Sequence, residues 1–266
     1  MKKRLAIIGG GQMAEAILKG GLSSAIFSSE DLLISDVNTD RCNYLEDTFK
    51  VQTTKDNRQA FEFGDYVILA VKPQNMKTVI SDFIGLCENK VIITIAAGLS
   101  LKFYLDILGG CRGLVRVMPN TPCLVKKGVS ALTCADGLSS EDKVKVEEIF
   151  TALGVAFWTE EIMMNKITAI SGSGPAYFFK FIQALSDGGV QIGLPRQLAK
   201  ELAIETAIGS MEFLKETAIH PTACIDMVTS PGGTTIAAIK KLEELGMHNA
   251  IMEAVEACYN KANQMS

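Results

Sequence analysis

Residues 5–14 read Leu5-Ala6-Ile7-Ile8-Gly9-Gly10-Gly11-Gln12-Met13-Ala14, an apolar run that breaks into three glycines and then into an apolar helical pattern over 12–19. A strand, a tight turn and a helix are therefore expected in immediate succession. The turn has the form G-x-G-x-x-A. Gly9 permits the sharp bend, Gly11 lets a pyrophosphate approach the backbone, and Ala14 is small enough for the helix to lie against the strand. Gln12 and Met13 open that helix, whose N-terminus offers free N–H groups and the positive end of its dipole to phosphates. Together these features form a Rossmann-type dinucleotide fingerprint.

Working outward, β-branched runs at 4–8, 32–35, 66–70, 91–95, 114–118 and 129–133 read as strands, with short extra strands near Val51 and Phe157. Helical patterns at 12–19, 40–49, 75–86, 101–108 and 140–152 fill most of the intervals. Strands alternating with helices predict a doubly wound, mostly parallel sheet. From about Glu160 the strand runs stop. The patterns at 162–170, 175–189, 195–217, 222–228, 234–245 and 247–265 are all helical. The fold class expected is α/β: a Rossmann-like domain over 1–160 followed by an all-helical domain over 161–266.

Ligands of such sheets bind at the carboxyl ends of the strands. The second strand ends at Asp36, placed to accept from the ribose 2′-hydroxyl of NAD and to repel the 2′-phosphate of NADP; Arg41, one helical turn on, could offset that repulsion. Ala70-Val71-Lys72-Pro73 and Ile95-Ala96-Ala97-Gly98 end two later strands, where small residues leave room for a nicotinamide ribose and Lys72 could reach an anion.

Composition narrows the class. The 266 residues are 48% hydrophobic and 21% charged, which excludes a disordered chain, a coiled coil or a collagen-like repeat. The net charge of −4 gives no general attraction to nucleic acid or to an anionic membrane. No apolar stretch approaches the ~18 residues of a bilayer span, and the charged start runs into the glycine turn rather than a signal-peptide core, so a cytoplasmic location is expected. Seven scattered cysteines without a C-x-x-C pair suggest neither disulfides nor a zinc site, and no metal is expected.

Two helical segments carry more glycine and hydroxyl than packing requires. Ser171-Gly172-Ser173-Gly174-Pro175-Ala176-Tyr177 and Thr229-Ser230-Pro231-Gly232-Gly233-Thr234-Thr235 each precede a helix, and such an N-terminus suits a carboxylate. Ordinary helix capping is the alternative for either. Between 176 and 187 eight of twelve residues are apolar, leaving little polar face, so a subunit interface is expected there.

The segments Val117-Met118-Pro119-Asn120-Thr121-Pro122, SGSGPAY at 171–177 and TSPGGTT at 229–235, added to the N-terminal G-x-G-x-M-A, resemble the pyrroline-5-carboxylate reductase family over nearly the whole chain. The resemblance implies hydride transfer from NADPH, with NADH as the alternative donor, to the C=N carbon of 1-pyrroline-5-carboxylate, giving L-proline in the last step of proline biosynthesis. It also implies roles. Gly9, Gly11, Gln12, Met13 and Ala14 would hold pyrophosphate, with Asn57 by the adenosine ribose. Ala70, Lys72, Pro73, Ala96 and Ala97 would line the nicotinamide half. Ser230, Gly233, Thr234 and Thr235 would bind the substrate carboxylate, Thr168 would hydrogen-bond the ring nitrogen, and Glu161 would stand near the substrate. Self-association through the helical domain, as a dimer or a ring of dimers, is implied as well.

The chain departs from the family pattern at Asp36-Val37-Asn38, where residues suited to a 2′-phosphate are frequent, at Asn165 and Ile225, which replace an acid and a base, and at Glu205, which replaces a Gln. Two rival readings stand beside this one. A β-hydroxyacid dehydrogenase would use a helix-borne lysine, for which Lys166 is the candidate, and a dinucleotide-binding regulator would share the cofactor motifs without catalysis. The two histidines, His220 and His248, lie outside every candidate motif, and His220 before Pro221 reads as a turn residue.

Overall fold

The computed structural model describes residues 3–265. Met1 and Lys2, at the charged start, and Ser266, at the end of the helical domain, lie outside the described residues. The first part alternates as expected: β1 (Leu5–Ile8), α1 (Gln12–Ser23), β2 (Leu32–Ser35), α2 (Thr39–Phe49), β3 (Gln52–Thr54), α3 (Asn57–Phe63), β4 (Tyr66–Leu69), α4 (Pro73–Ser81), β5 (Val91–Thr94) and α5 (Leu101–Leu108). It continues with β6 (Gly113–Met118), β7 (Gly128–Cys134), α6 (Ser140–Thr151) and β8 (Gly154–Trp158).

These strands form one sheet in the order β3-β2-β1-β4-β5-β6-β7-β8, parallel except for the β6–β7 pair. Because β1 lies between β2 and β4, its glycine turn opens at the point where the strand order reverses, the crevice in which such sheets hold dinucleotides. Successive residues of a strand face opposite sides. Ile7, Ile34, Ile68 and Ile93 accordingly fill one core layer, and Ile8, Val67, Leu69 and Ile92 the other. Coverage on both faces explains why these strands are unbroken apolar runs rather than alternating ones.

Two local expectations change. α3 was not anticipated: Asn57–Phe63 is only seven residues long, and it forms because the Asp56 carboxylate caps it, accepting from the N–H groups of Arg58 and Gln59. α4 begins at Pro73 rather than near residue 75 and ends at Ser81 rather than 86, since proline is suited to the first helical turn.

The remaining elements are α7 (Met164–Ile167), α8 (Gly174–Gln191), α9 (Arg196–Thr217), α10 (Pro221–Met227), α11 (Thr234–Glu244) and α12 (Met247–Met265). The expected single helix over 162–170 is instead a 3₁₀ turn at Glu161–Met163, the short α7, and a π-helical turn at Thr168–Gly172. The chain divides into two compact units. One holds the residues up to Ser173 and those from Cys258 onward; the other is Gly174–Ala257. The compact units meet at 173/174 because buried Met164 and hydrogen-bonded Glu161 and Ser171 tie the start of the helical region to the sheet.

Within the second unit α8 and α9 pack together through small residues: a Cβ on Gly189 would come within 2.9 Å of the Ala199 Cβ. Little else is covered. Phe178, Phe179, Phe181, Leu185, Leu202 and Met211 are all exposed in the single chain. Among the described residues no helix is long and apolar enough to cross a membrane.

At the amino-terminal edge of the sheet, the buried Asp142 carboxylate accepts from Tyr66 Oη (2.7 Å), Ser139 Oγ (2.8 Å) and Arg112 Nη2 (3.1 Å). Burial by itself would push this carboxyl up, but the Tyr66 and Ser139 hydrogen bonds and the Arg112 charge outweigh it and hold the group below its usual range. A depressed carboxyl adds stability above its unfolded pKa, and that contribution is lost as pH falls through the folded value. Asp142→Asn is therefore expected to destabilise the protein by about 2–3 kcal/mol at pH 7. Thermal unfolding of the two proteins should converge as the pH is lowered below about 4.

Candidate active site

The glycine turn shows what each of its residues does. Gly9 has φ +102°, and its N–H donates to the Ser35 carbonyl at 2.8 Å. A Cβ there would lie 2.8 Å from the Ala70 carbonyl oxygen, so both the backbone conformation and the approach of β4 require glycine. Gly11 differs. It is the N-cap of α1 with ordinary extended backbone, no side chain caps that helix, and a Cβ on it would meet no atom within 4 Å. The space beside the α1 N-terminus is thus free of protein and bounded by unpaired helix N–H groups, as a pyrophosphate requires. Ala14 is fully buried between helix and sheet. Gln12 and Met13 form the first turn of α1.

Asp36 sits beside this turn with its carboxylate engaged: Oδ2 accepts from the Gly10 N–H at 2.7 Å and Oδ1 from the Asn38 N–H at 2.9 Å. It props the glycine loop from the β2 side. Arg41 is drawn in as well. Its Nε donates to the Gly10 carbonyl, and Nη2 to the Gly11 carbonyl (3.2 Å) and the Glu15 carboxylate (2.8 Å). The sequence offered Asp36 as a ribose ligand and Arg41 as an offset to its charge; in the structure both hold the glycine loop. Asn57, the first residue of α3, accepts from Ser35 Oγ at 2.7 Å, which fixes its amide at the end of β2.

Further along the carboxyl edge, Ala70 follows β4, Lys72 is the N-cap of α4 and Pro73 its first residue. Ala96 and Ala97 follow β5. The Ala96 N–H donates to Thr94 Oγ1 (3.3 Å), which also pairs with Tyr104 Oη (2.5 Å) beneath the loop. Burial pushes the Tyr104 phenol up to about 12.

Glu161 turns toward the sheet. Its Oε1 accepts from the Leu101 N–H at the start of α5 (2.7 Å) and from Nη1 of Arg116 (3.2 Å), itself a buried residue on β6. Sequence reading placed Glu161 by the substrate and gave Arg116 no role. The ion pair joins positions 45 apart, and nothing in the β6 pattern marks its single arginine as a site residue.

The π turn presents Thr168 half-buried, its Oγ1 donating to the Met164 carbonyl at 2.7 Å. The turn is shaped by its surroundings. Asn120 Nδ2 donates to the Ser171 carbonyl (2.9 Å), and Gly172 lies so close to Met118 that a Cβ would sit 2.5 Å from its methyl carbon. The segment 117–122 thus shapes segment 171–174. Such π turns occur mostly where function needs a helix distorted.

In the second unit, Thr229 Oγ1 donates to the Ile225 carbonyl (2.7 Å), and the Gly233 N–H donates to the Ser230 carbonyl (3.0 Å). Gly233 is the N-cap of α11, and a Cβ there would fall 2.3 Å from Ser230 Oγ. No side chain caps α11, so Thr234 and Thr235 open a helix whose N–H groups face outward beside the Ser230 hydroxyl. Such an N-terminus, on an eleven-residue helix, has the chemistry to accept an anion. Lys166 is exposed, its Nζ 4.0 Å from Met163 Sδ. His220 Nδ1 accepts from the Thr222 N–H and caps α10, as its place before a proline suggested. Among the described residues no group of three or more His, Cys, Asp or Glu side chains gathers as a metal site.

A glycine loop at the switch point of a doubly wound sheet, followed by a helical region, is the build of a nicotinamide-dependent oxidoreductase with a helical partner domain. Residues 161–265 match the family model "Pyrroline-5-carboxylate reductase dimerisation", and residues 4–98 match "NADP oxidoreductase coenzyme F420-dependent". The chain is 39% identical to the pyrroline-5-carboxylate reductase of Synechocystis sp., with 100% of this chain and 99% of the relative covered. It is 36% identical to that of Escherichia coli, again over 100% and 99%. The structure of Plasmodium falciparum pyrroline carboxylate reductase with NADP bound superposes with a TM-score of 0.92 at 32% identity, covering 100% of this chain and 99% of that one. A reductive aminase from Aspergillus terreus, with a TM-score of 0.62 at 13% identity, shares the fold alone. The chain belongs to the pyrroline-5-carboxylate reductase family, and self-association belongs to its helical part.

The two glycines separate folding from binding. Gly9→Ala is expected to destabilise the fold by about 1–3 kcal/mol through the strained backbone alone. Gly11→Ala should leave the thermal midpoint nearly unchanged, since alanine at an N-cap costs about 1 kcal/mol or less relative to glycine, yet raise the KM for the dinucleotide at least about tenfold. Thermal unfolding and cofactor titration of both variants check this.

Proposed function

We propose that this chain reduces 1-pyrroline-5-carboxylate to L-proline with NADPH as its ordinary donor and NADH as a possible one, in the cytoplasm, working as a dimer or as a ring of dimers. One observation carries the chemistry: the Thr168 hydroxyl spends its proton on the Met164 carbonyl, so its oxygen is left as an acceptor. Hydride attack on C=N is faster when the nitrogen is protonated, and an iminium N–H needs an acceptor of this kind. Thr168 therefore holds and orients the iminium while adding no positive charge beside it.

The substrate's other charge is its carboxylate. Ser230, Gly233, Thr234 and Thr235 take it up at the N-terminus of α11, through backbone N–H groups and hydroxyls. Gly9, Gly11, Gln12, Met13 and Ala14 hold the pyrophosphate, Asp36 and Asn57 the adenosine ribose, and Ala70, Lys72, Pro73, Ala96 and Ala97 the nicotinamide half. The bound nicotinamide supplies the hydride. Asp36, tied to Gly10 and Asn38, keeps its negative charge near the 2′ position, so NADH is expected to be used more readily here than by relatives lacking an acid there.

Following absorbance loss on mixing the protein with 1-pyrroline-5-carboxylate and either cofactor tests the activity; no oxidation of either would overturn the reading. Thr168→Val, nearly isosteric, should lower kcat about 10–100-fold, the worth of one hydrogen bond to a charged group. Thr168→Ser should restore most of it. Unchanged turnover in the valine variant would remove Thr168 from the mechanism.

A further inference from the structure

The loop between β5 and α5, residues 95–100, carries Ala96 and Ala97 and is held from several directions. Beneath it lie the Thr94 and Tyr104 hydroxyls. At its exit, Ser100 Oγ accepts from the Phe103 N–H and the Glu161 carboxylate accepts from the Leu101 N–H. At its centre Gly98 has φ +80°, and a Cβ there would stand 3.0 Å from the Cβ of Met265, on the last turn of α12. The same last turn is tied back to the sheet: Asn263 Oδ1 accepts from Asn165 Nδ2 (3.0 Å), and Asn165 Oδ1 accepts from Arg116 Nη2 (3.2 Å). Arg116 in turn pairs with Glu161.

These contacts close a ring running from the loop through Glu161, Arg116, Asn165 and Asn263 to Met265 and back to Gly98. We infer that the last turn of α12 is a positioning clamp for the nicotinamide-side loop, with Glu161 and Arg116 as its anchor. Glu161 and Arg116 are then positioning residues acting through the Leu101 N–H. Arg116 has reason to be buried here: its charge is met by one carboxylate and one amide oxygen on opposite sides of the guanidinium, a geometry that fixes the relative placement of the 161–165 turn and β6. Asn165, where relatives commonly have an acid, can accept from Arg116 and donate to Asn263 at once, which a carboxylate cannot do.

The assignment of the loop to the nicotinamide rests on the function proposed above, so the test has an arm independent of turnover. The double variant Asn263→Ala/Met265→Ala changes two exposed side chains and should keep its thermal midpoint within about 2 °C of the parent. Hydrogen exchange of the amides at 96–101 should accelerate about tenfold or more in the variant, with exchange in β1 and β4 unchanged. In steady-state assays the KM for the dinucleotide should rise about tenfold while kcat and the KM for the imine move less than about threefold.

Unchanged exchange at 96–101 would overturn the clamp whatever the kinetics. Faster exchange with an unchanged dinucleotide KM would overturn its role in cofactor placement. Failure of the parent protein to oxidise either cofactor would instead count against the proposed function, and the exchange arm would still decide whether the ring holds the loop.

Discussion

The constraint on which the rest depends is that Gly174–Ala257 cannot cover its own apolar surface. Phe179 is 62% exposed, Ile192 82% and Met252 60%, and the only residues of that unit buried in the single chain are small: Gly174, Ser186, Ala199 and Ala203. An apolar surface of this kind belongs in an interface. The family model matching this region is a dimerisation domain, and self-association is what such a surface serves. The uncapped N-terminus of α11, proposed above to take the substrate carboxylate, stands on this same unit, whereas the glycine turn stands on a sheet covered on both faces.

What was legible in the sequence follows the range of the forces involved. The strands were readable because a sheet covered on both faces demands unbroken apolar runs, and β1 and β2 appear within a residue of where those runs lie. The glycine turn was readable because conformation and space at Gly9 admit no side chain. By contrast α3 has the polar sequence Asn57-Arg58-Gln59 in its first turn and exists through a cap, Asp56, so no periodicity announced it. The π turn at Thr168–Gly172 depends on Asn120 and Met118, far away in the chain, and local pattern reads it simply as helix. The grouping of residues 161–173 with the sheet has the same origin: Glu161, Met164 and Ser171 are helical in pattern but held by the sheet domain.

The site was legible as segments and not as geometry. SGSGPAY and TSPGGTT stood out by composition, yet which way the Thr168 proton points follows only from the Met164 carbonyl at 2.7 Å. Asp36 stands at the end of β2, where the strand pattern put it, but its bond to the Gly10 N–H, which props the glycine turn, could not be read from the sequence. The partners of Glu161 were not legible either. A carboxylate expected beside the substrate is bonded to Arg116 and to the start of α5.

The most direct test of this account is light scattering with size-exclusion chromatography on the full chain, run from micromolar to nanomolar concentration alongside the reductase assay. The account predicts a dimer or a multiple of it throughout the active range, with turnover falling as the assembly dissociates. A stable monomer at micromolar concentration with full turnover would contradict it.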